Sequence, residues 1–190
     1  MMSLRFDVTF HSPFRVGATY ARDGVDTALD RGDPLPADHL KGVMRAAAVE
    51  VFGDSSDVGT VFGTHRCPSP WAWTAAAPMW TTGDADTGWR FDRRHRVAID
   101  GSTHAARKDH LVLGEVAFAE QASFTVDLLG WLDPAEEQWQ VSLLRVSAAA
   151  VHGLGAWRRR GLGWVGVTPS GPPVSAGELT DLLSRPEVPA

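Results

Sequence analysis

The residues run in the order strand, long loop, helix, strand, basic insertion, strand, capped helix, strand. That order predicts an α+β fold with a βαββαβ core, the ferredoxin-like (RRM-like) topology, carrying a long loop after the first strand and a hairpin inserted at the centre. A length of 190 residues suits one domain. A hydrophobic share of 44% excludes wholesale disorder.

Leu4, Phe6, Val8 and Phe10 alternate with Arg5, Asp7, Thr9 and His11, the period of a strand with one buried face. Residues 12–36 are irregular and rich in Gly, Asp and Arg, and a connection of that length inside a compact domain tends to be functional. A helix follows, with Asp38 as its expected N-cap and Leu40, Val43, Met44, Ala47 and Val51 at helical spacing. Residues 54–64 read as turns and residues 71–79 as the second strand. Residues 81–88 read as a loop, and residues 89–108 as a projecting hairpin that folds back around Gly101 and Ser102. Strand character resumes from Glu115 to Gly130, bent near 119–123.

The clearest helix start is Asp133-Pro134-Ala135-Glu136: Asp caps, Pro takes the first helical position and Glu completes a capping box. Trp139, Leu143, Val146 and Ala150 form the expected buried face, and Gly153 the left-handed stop. A glycine-interrupted strand over 161–167 and a short helix over 176–184 finish the chain.

Net charge is −5, which by itself speaks against a nucleic-acid partner, but its distribution points the other way. Between Trp89 and His110 six Lys or Arg face three Asp, and Arg158-Arg159-Arg160 forms a second basic knot. Screening limits a charge's reach to about 8–10 Å, so such clusters decide local potential. No stretch approaches the roughly 18 apolar residues of a membrane span. The start of the chain reads as a strand and Cys67 has no disulfide partner, so a cytoplasmic location is expected.

The segment from His152 to Trp164 holds four glycines, three consecutive arginines, Trp157 and Trp164. Glycines let backbone approach a ligand, arginines supply charge, and indoles stack on bases. The Gly-Lys-Ser/Thr ending of a phosphate-binding loop is missing. Asp23, Asp26, Asp30 and Asp33 crowd the long loop, where carboxylates can bind cations or move protons. His65 and Cys67 lack the further ligands of a zinc site. Gly-x-Ser-x-Gly, the elbow of serine hydrolases, is absent.

Four segments carry a family resemblance. Gly24-Val25-Asp26 leads to Leu35-Pro36-Ala37-Asp38-His39-Leu40-Lys41-Gly42-Val43-Met44-Arg45, and Val51-Phe52-Gly53 and Val61-Phe62-Gly63 follow. Arg94-His95-Arg96 through Thr103 and then Glu115-Val116 come third, and Arg158-Arg159-Arg160-Gly161-Leu162-Gly163 is the fourth. In this order they resemble the RAMP superfamily of CRISPR proteins, most of all the repeated backbone subunits (Csm and Cmr) of type III effector complexes. Ala37-Asp38-His39 departs from the Gly-Ser-Ser usual in that family and puts a negative charge near the expected phosphate.

The resemblance implies an RNA-binding domain over 1–168, with a thumb insertion at about 81–114, and a tail over 169–190. It implies a CRISPR guide RNA, a target RNA, copies of the chain itself and other effector subunits as partners. Lys41, Arg45, Arg94, Arg96, Arg158, Arg159, Arg160, Gly161 and Gly163 would bind RNA. Asp26 would cut the target with a divalent cation, Mg2+ or Mn2+, of which it would be a ligand. The alternatives are a noncatalytic guide-RNA scaffold and a CRISPR-transcript processing endoribonuclease with His39 or His11 as acid or base. An interaction protein with no RNA role stands outside that superfamily.

Overall fold

A computed structural model describes residues 2–19, 22–79 and 88–184. Its main sheet has the order β2-β6-β1-β7, from β2 (Trp71–Trp73), β6 (Gln121–Leu128), β1 (Ser3–Phe10) and β7 (Val165–Pro169), and the two-residue β3 (Ala77–Pro78) also pairs with β6. Every pairing is antiparallel. With β2 and β3 together as the second strand of the core, this is the ferredoxin-like arrangement expected from the sequence. On β1 and β6 alternate residues are buried, and Phe6 stands opposite Phe124 in register with their rings stacked at 5.2 Å.

Helices α1 (Ala37–Phe52) and α3 (Pro134–Ala149) pack on each other and close the core over that buried face. Leu40, Met44, Ala47 and Ala48 enter it from α1, and Leu143, Leu144 and Ala148 from α3. Burying one such Leu is worth about 1.5–3 kcal/mol. One polar pair sits inside the apolar layer: the Trp71 indole N–H donates to Gln140 Oε1 at 2.7 Å, tying β2 to α3.

Local chemistry departs from the expected boundaries in several places. Pro36, not Asp38, precedes α1, and Asp38 lies in the first turn with no side-chain cap bond. Residues read as turns include a second helix, α2 (Ser56–Phe62), capped by Ser55 and burying Val58, Val61 and Phe62. Seven residues are too few to show a helical period. The second strand breaks at residues 74–76, where the Ala76 N–H turns away to donate to Leu35 O at 3.1 Å. Asp133 caps α3 through the Ala135 N–H, while Glu136 accepts from Gln140 four residues on. Helix α3 closes on right-handed Ala150, and the left-handed backbone begins at Gly155, not Gly153. In the tail α4 (Ala176–Leu183) packs against α3, with Arg145 Nε 3.1 Å from Glu178 Oε1.

The insertion is a two-stranded ribbon, β4 (Arg90–Ile99) and β5 (Ala106–Phe118), separate from the main sheet. Residues 80–87, which hold the start of the expected thumb and the loop before it, lie outside the described residues, as do 185–190 of the tail.

Candidate nucleic-acid interface

The long loop after β1 is fastened to the ribbon. Phe14 bridges to Ala117, and the Glu115 N–H donates to Thr27 O at 3.1 Å. Glu115 itself is fully buried, and its carboxylate takes Arg31 at 2.7 Å, Arg22 at 3.0 Å and the Leu29 N–H at 3.3 Å. Burial alone would raise its pKa, but the Arg31 hydrogen bond, the Leu29 N–H and the two guanidinium charges together hold it below the usual value. Two arginines thus converge on one carboxylate and fix the loop against β5.

Asp26 is held in the same way by backbone. Its Oδ2 accepts the Leu113 N–H at 2.7 Å, and its own N–H donates to Leu113 O at 2.9 Å. The side chain is exposed, so an oriented carboxylate faces solvent beside the ribbon.

Trp157 joins the ribbon to the glycine loop. It is one of three non-glycine residues among those described with positive φ, at 63°, and precedes the 3-10 turn Arg158–Arg160. The Arg96 guanidinium lies 4.5 Å from the centre of its ring and that of Arg15 4.9 Å. Gly114 on β5 leaves room for the ring, because a methyl there would overlap it. The Ala156 N–H donates to Arg15 O at 2.7 Å, locking loop to loop. No carboxylate among the described residues pairs with Arg15 or Arg96, and each has a buried Nε without a partner there. Burial, with the Arg96 charge second, lowers the pKa of Arg15. Two like charges gathered on one indole make an electropositive centre that an anion would relieve.

The glycine loop is pinned from three sides. The Leu154 N–H donates to Gly163 O, the Gly163 N–H to Pro13 O, and the Gly155 N–H to His39 Nε2 at 3.0 Å. That last bond makes Nε2 an acceptor, so His39 is neutral with its proton on Nδ1. Burial and then the Arg158 charge lower its pKa, in agreement. His39, considered as an acid or base, is therefore already committed to the loop backbone.

A cleft of about 310 Å³ opens between α1 and this loop, lined by Asp38, His39, Gly42, Gly153, Gly155 and Arg158. Lys41 and Arg45 do not face it. They line a second cleft of about 460 Å³ toward Gly63 and Ser69, and the Lys41 ammonium rests 5.2 Å from the Trp73 ring centre. Asp38 and Gly42 border both clefts. Arg94 lies on the Arg96 face of β4, 3.8 Å from Asp92, and Arg159 and Arg160 stand exposed on the turn with Gly161 after them. The structure thus gathers Arg96, Arg158 and the glycine loop and leaves Lys41 and Arg45 lining the other cleft.

Among the described residues no group of three or more His, Cys, Asp or Glu is placed to hold an ion, and one oxygen of Asp26 is engaged by backbone. His65 Nε2 bonds Arg66, and Cys67 is exposed. Among the described residues no helix is long and apolar enough to cross a membrane.

The roles of Arg15 and Trp157 in this junction are not visible in the sequence. Arg15 lies far from either basic cluster in sequence, and nothing in its spacing marks it. The spacing marks Trp157 as a stacking surface for bases, and its ring lies against Arg15 and Arg96.

No protein-family model and no curated protein matches the chain. Solved structures do. A chain from the apo-state cryo-EM structure of the Type III-B Cmr-beta superposes with a TM-score of 0.66 at 12% identity, over 89% of this chain and 97% of that one. This chain shares the fold of that chain. A chain of the Type III-B Cmr-beta bound to cognate target RNA gives a TM-score of 0.62 at 14% identity, over 91% of this chain and 62% of its own length. The likeness to Cmr-beta is one of backbone, and no residue's role is transferred by it.

Proposed function

We propose that this chain is a subunit of a type III-like CRISPR RNA-guided effector complex that binds guide RNA along its basic ribbon and glycine loop. The observation that carries this reading is the Trp157 junction, where Arg15 and Arg96 share one ring immediately before Arg158. Arg96 and Arg158 have no carboxylate partner among the described residues and suit contact with phosphates, while Arg15, 8% exposed, holds the ring from within. The Cmr-beta fold and the family resemblance in sequence support the same reading. Guide RNA, target RNA, further copies and other subunits are the partners it entails.

Target cutting is assigned to Asp26. Its backbone bond to Leu113 fixes the carboxylate, leaving Oδ1 to take the proton of a 2′-hydroxyl. The 2′-oxygen then attacks the adjacent phosphorus, the bond from phosphorus to the 5′-oxygen breaks, and the 5′-oxygen leaves as a hydroxyl with a proton from water, so a 2′,3′-cyclic phosphate remains and Asp26 returns its proton to solvent. No step is assigned to the divalent cation implied by the resemblance, since no group of three or more His, Cys, Asp or Glu among the described residues is placed to hold one. One Asp26 oxygen is already taken by the Leu113 N–H, which favours a second reading, a noncatalytic guide scaffold.

One experiment separates the two. In the reconstituted complex, Asp26→Ala abolishes target cutting and leaves guide binding intact under the catalytic reading; unchanged cutting eliminates it. Arg96→Ala combined with Arg158→Ala weakens guide binding and flattens its dependence on salt by roughly two phosphate contacts. Retained affinity with an unaltered slope would remove the RNA-binding reading.

A further inference from the structure

Two tryptophans stand well exposed among the described residues, Trp131 at 80% and Trp164 at 64%. Their surroundings differ. Trp131 sits in a turn two residues before the Asp133 cap, whereas Trp164 borders a cleft of about 390 Å³ with His152, Gly153, Arg158 and Arg159. The backbone of Trp164 is held on both sides: its N–H donates to Ser12 Oγ at 2.9 Å, and its carbonyl accepts the His11 N–H at 3.0 Å. The His11 ring rests 4.9 Å from the indole, tilted by 46°, which braces one aromatic with another. Gly163 comes immediately before it with φ of 73° and approaches Leu154 O too closely to admit a side chain, so the backbone leading into Trp164 has little choice of path.

A solvent-facing aromatic on a fixed backbone beside two arginines suits a ligand with a flat ring and an attached anion. A nucleotide has both. We propose that the cleft at Trp164 seats one unpaired RNA base, stacked on the indole, with Arg158 and Arg159 taking the adjoining phosphates. The seat rests on the RNA-binding reading and adds to it a position where a base, and not only the backbone, is held. Stacking tolerates any base, so the seat is sequence-independent. Trp157 has no such part, because its ring already lies against Arg15, Arg96 and Gly114.

The test uses the full chain and two labelled oligomers of equal length, uridine RNA and an abasic ribose-phosphate strand. Wild type binds the uridine strand more tightly. Trp164→Ala weakens that binding by about 5- to 150-fold, the equivalent of ~1–3 kcal/mol per stacked base, and leaves the abasic strand's affinity where it was. Trp164→Phe restores most of the loss. With 4-thiouridine RNA, photocrosslinks map to Trp164. Equal wild-type affinity for both strands, with steep salt dependence, overturns the seat and leaves the RNA-binding reading standing. Equal weakening of both strands by Trp164→Ala assigns the indole to structure and overturns the seat too. Loss of association with protein subunits at undiminished RNA affinity makes Trp164 a protein contact and also overturns it. Binding of neither strand removes the RNA-binding reading and the seat together.

Discussion

The ribbon's two ends are built from similar residues and held in opposite ways. At its base Glu115, Val116 and Ala117 are buried, Gly114 lies under Trp157, and the long loop bridges to it from Phe14 and from Thr27. At its outer end Val97, Ile99 and Leu111 are 45%, 57% and 62% exposed. Order there comes from β4–β5 pairing and from Asp100, whose Oδ1 accepts the N–H and hydroxyl of both Ser102 and Thr103. Those bonds, the Ser102 hydroxyl first, lower the pKa of Asp100 to about 2. Side chains of β5 at the base are a fixed part of the fold, whereas those at the tip face solvent.

The sharpest way to break that comparison is at Glu115. Glu115→Ala leaves Arg22 and Arg31 facing one another, and chemical denaturation should show a loss of about 3 kcal/mol, the low end for a broken buried pair because both arginines keep part of their surface in water. Its folded pKa lies below the ordinary value of 4.5, so its contribution is fully present above about pH 4.5 and is lost as pH falls through the folded value. Glu115→Gln, which cannot titrate, should lose less stability than wild type over that acid range; parallel curves would refute the assignment.

Next comes the glycine loop. Gly163 and Gly161 have nearly the same φ, 73° and 77°, yet a methyl at Gly163 would strike Leu154 O while one at Gly161 meets nothing within 4 Å. Gly161→Ala should cost about 1–2 kcal/mol of left-handed strain. Gly163→Ala should cost visibly more in the same unfolding titration, and equal losses would show that the loop is looser than its hydrogen bonds indicate.

Trp157→Ala removes two cation–π contacts and should destabilise by about 1–2 kcal/mol. Hydrogen exchange should quicken at residues 112–117 and leave the tip unchanged. The smallest effect belongs to the tip: Ile99→Ser or Leu111→Ser should shift stability by no more than about 0.5 kcal/mol, measured as a melting temperature. A loss there as large as at Glu115 would erase the distinction between base and tip.

Much of the core was legible because its signals are local. Phe6, Val8 and Phe10 show their period over a few residues, and Asp133-Pro134 marks a helix start with a mechanism. Helix α2 was not legible, since its seven residues reveal burial of Val58 and Val61 only once α1 and α3 lie beside them. At the site, the arginine cluster and the glycines of the 152–164 loop were visible as composition. What could not be read was pairing across distance: Arg15 with Trp157, His39 with Gly155, Arg22 and Arg31 with Glu115. Each joins residues far apart in sequence, where spacing carries no information. Lys41 and Arg45 show the converse. Their helical spacing was real, but the turn of α1 directs them to a different cleft from the glycine loop.

The two bonds between Asp26 and Leu113 have a mechanical corollary. A carboxylate on a connection of some two dozen residues would ordinarily wander, yet this one is stitched to a strand of the projecting arm. Any tilt of that arm, whoever causes it, carries the acid along as a passenger, so its aim is set by where the arm comes to rest.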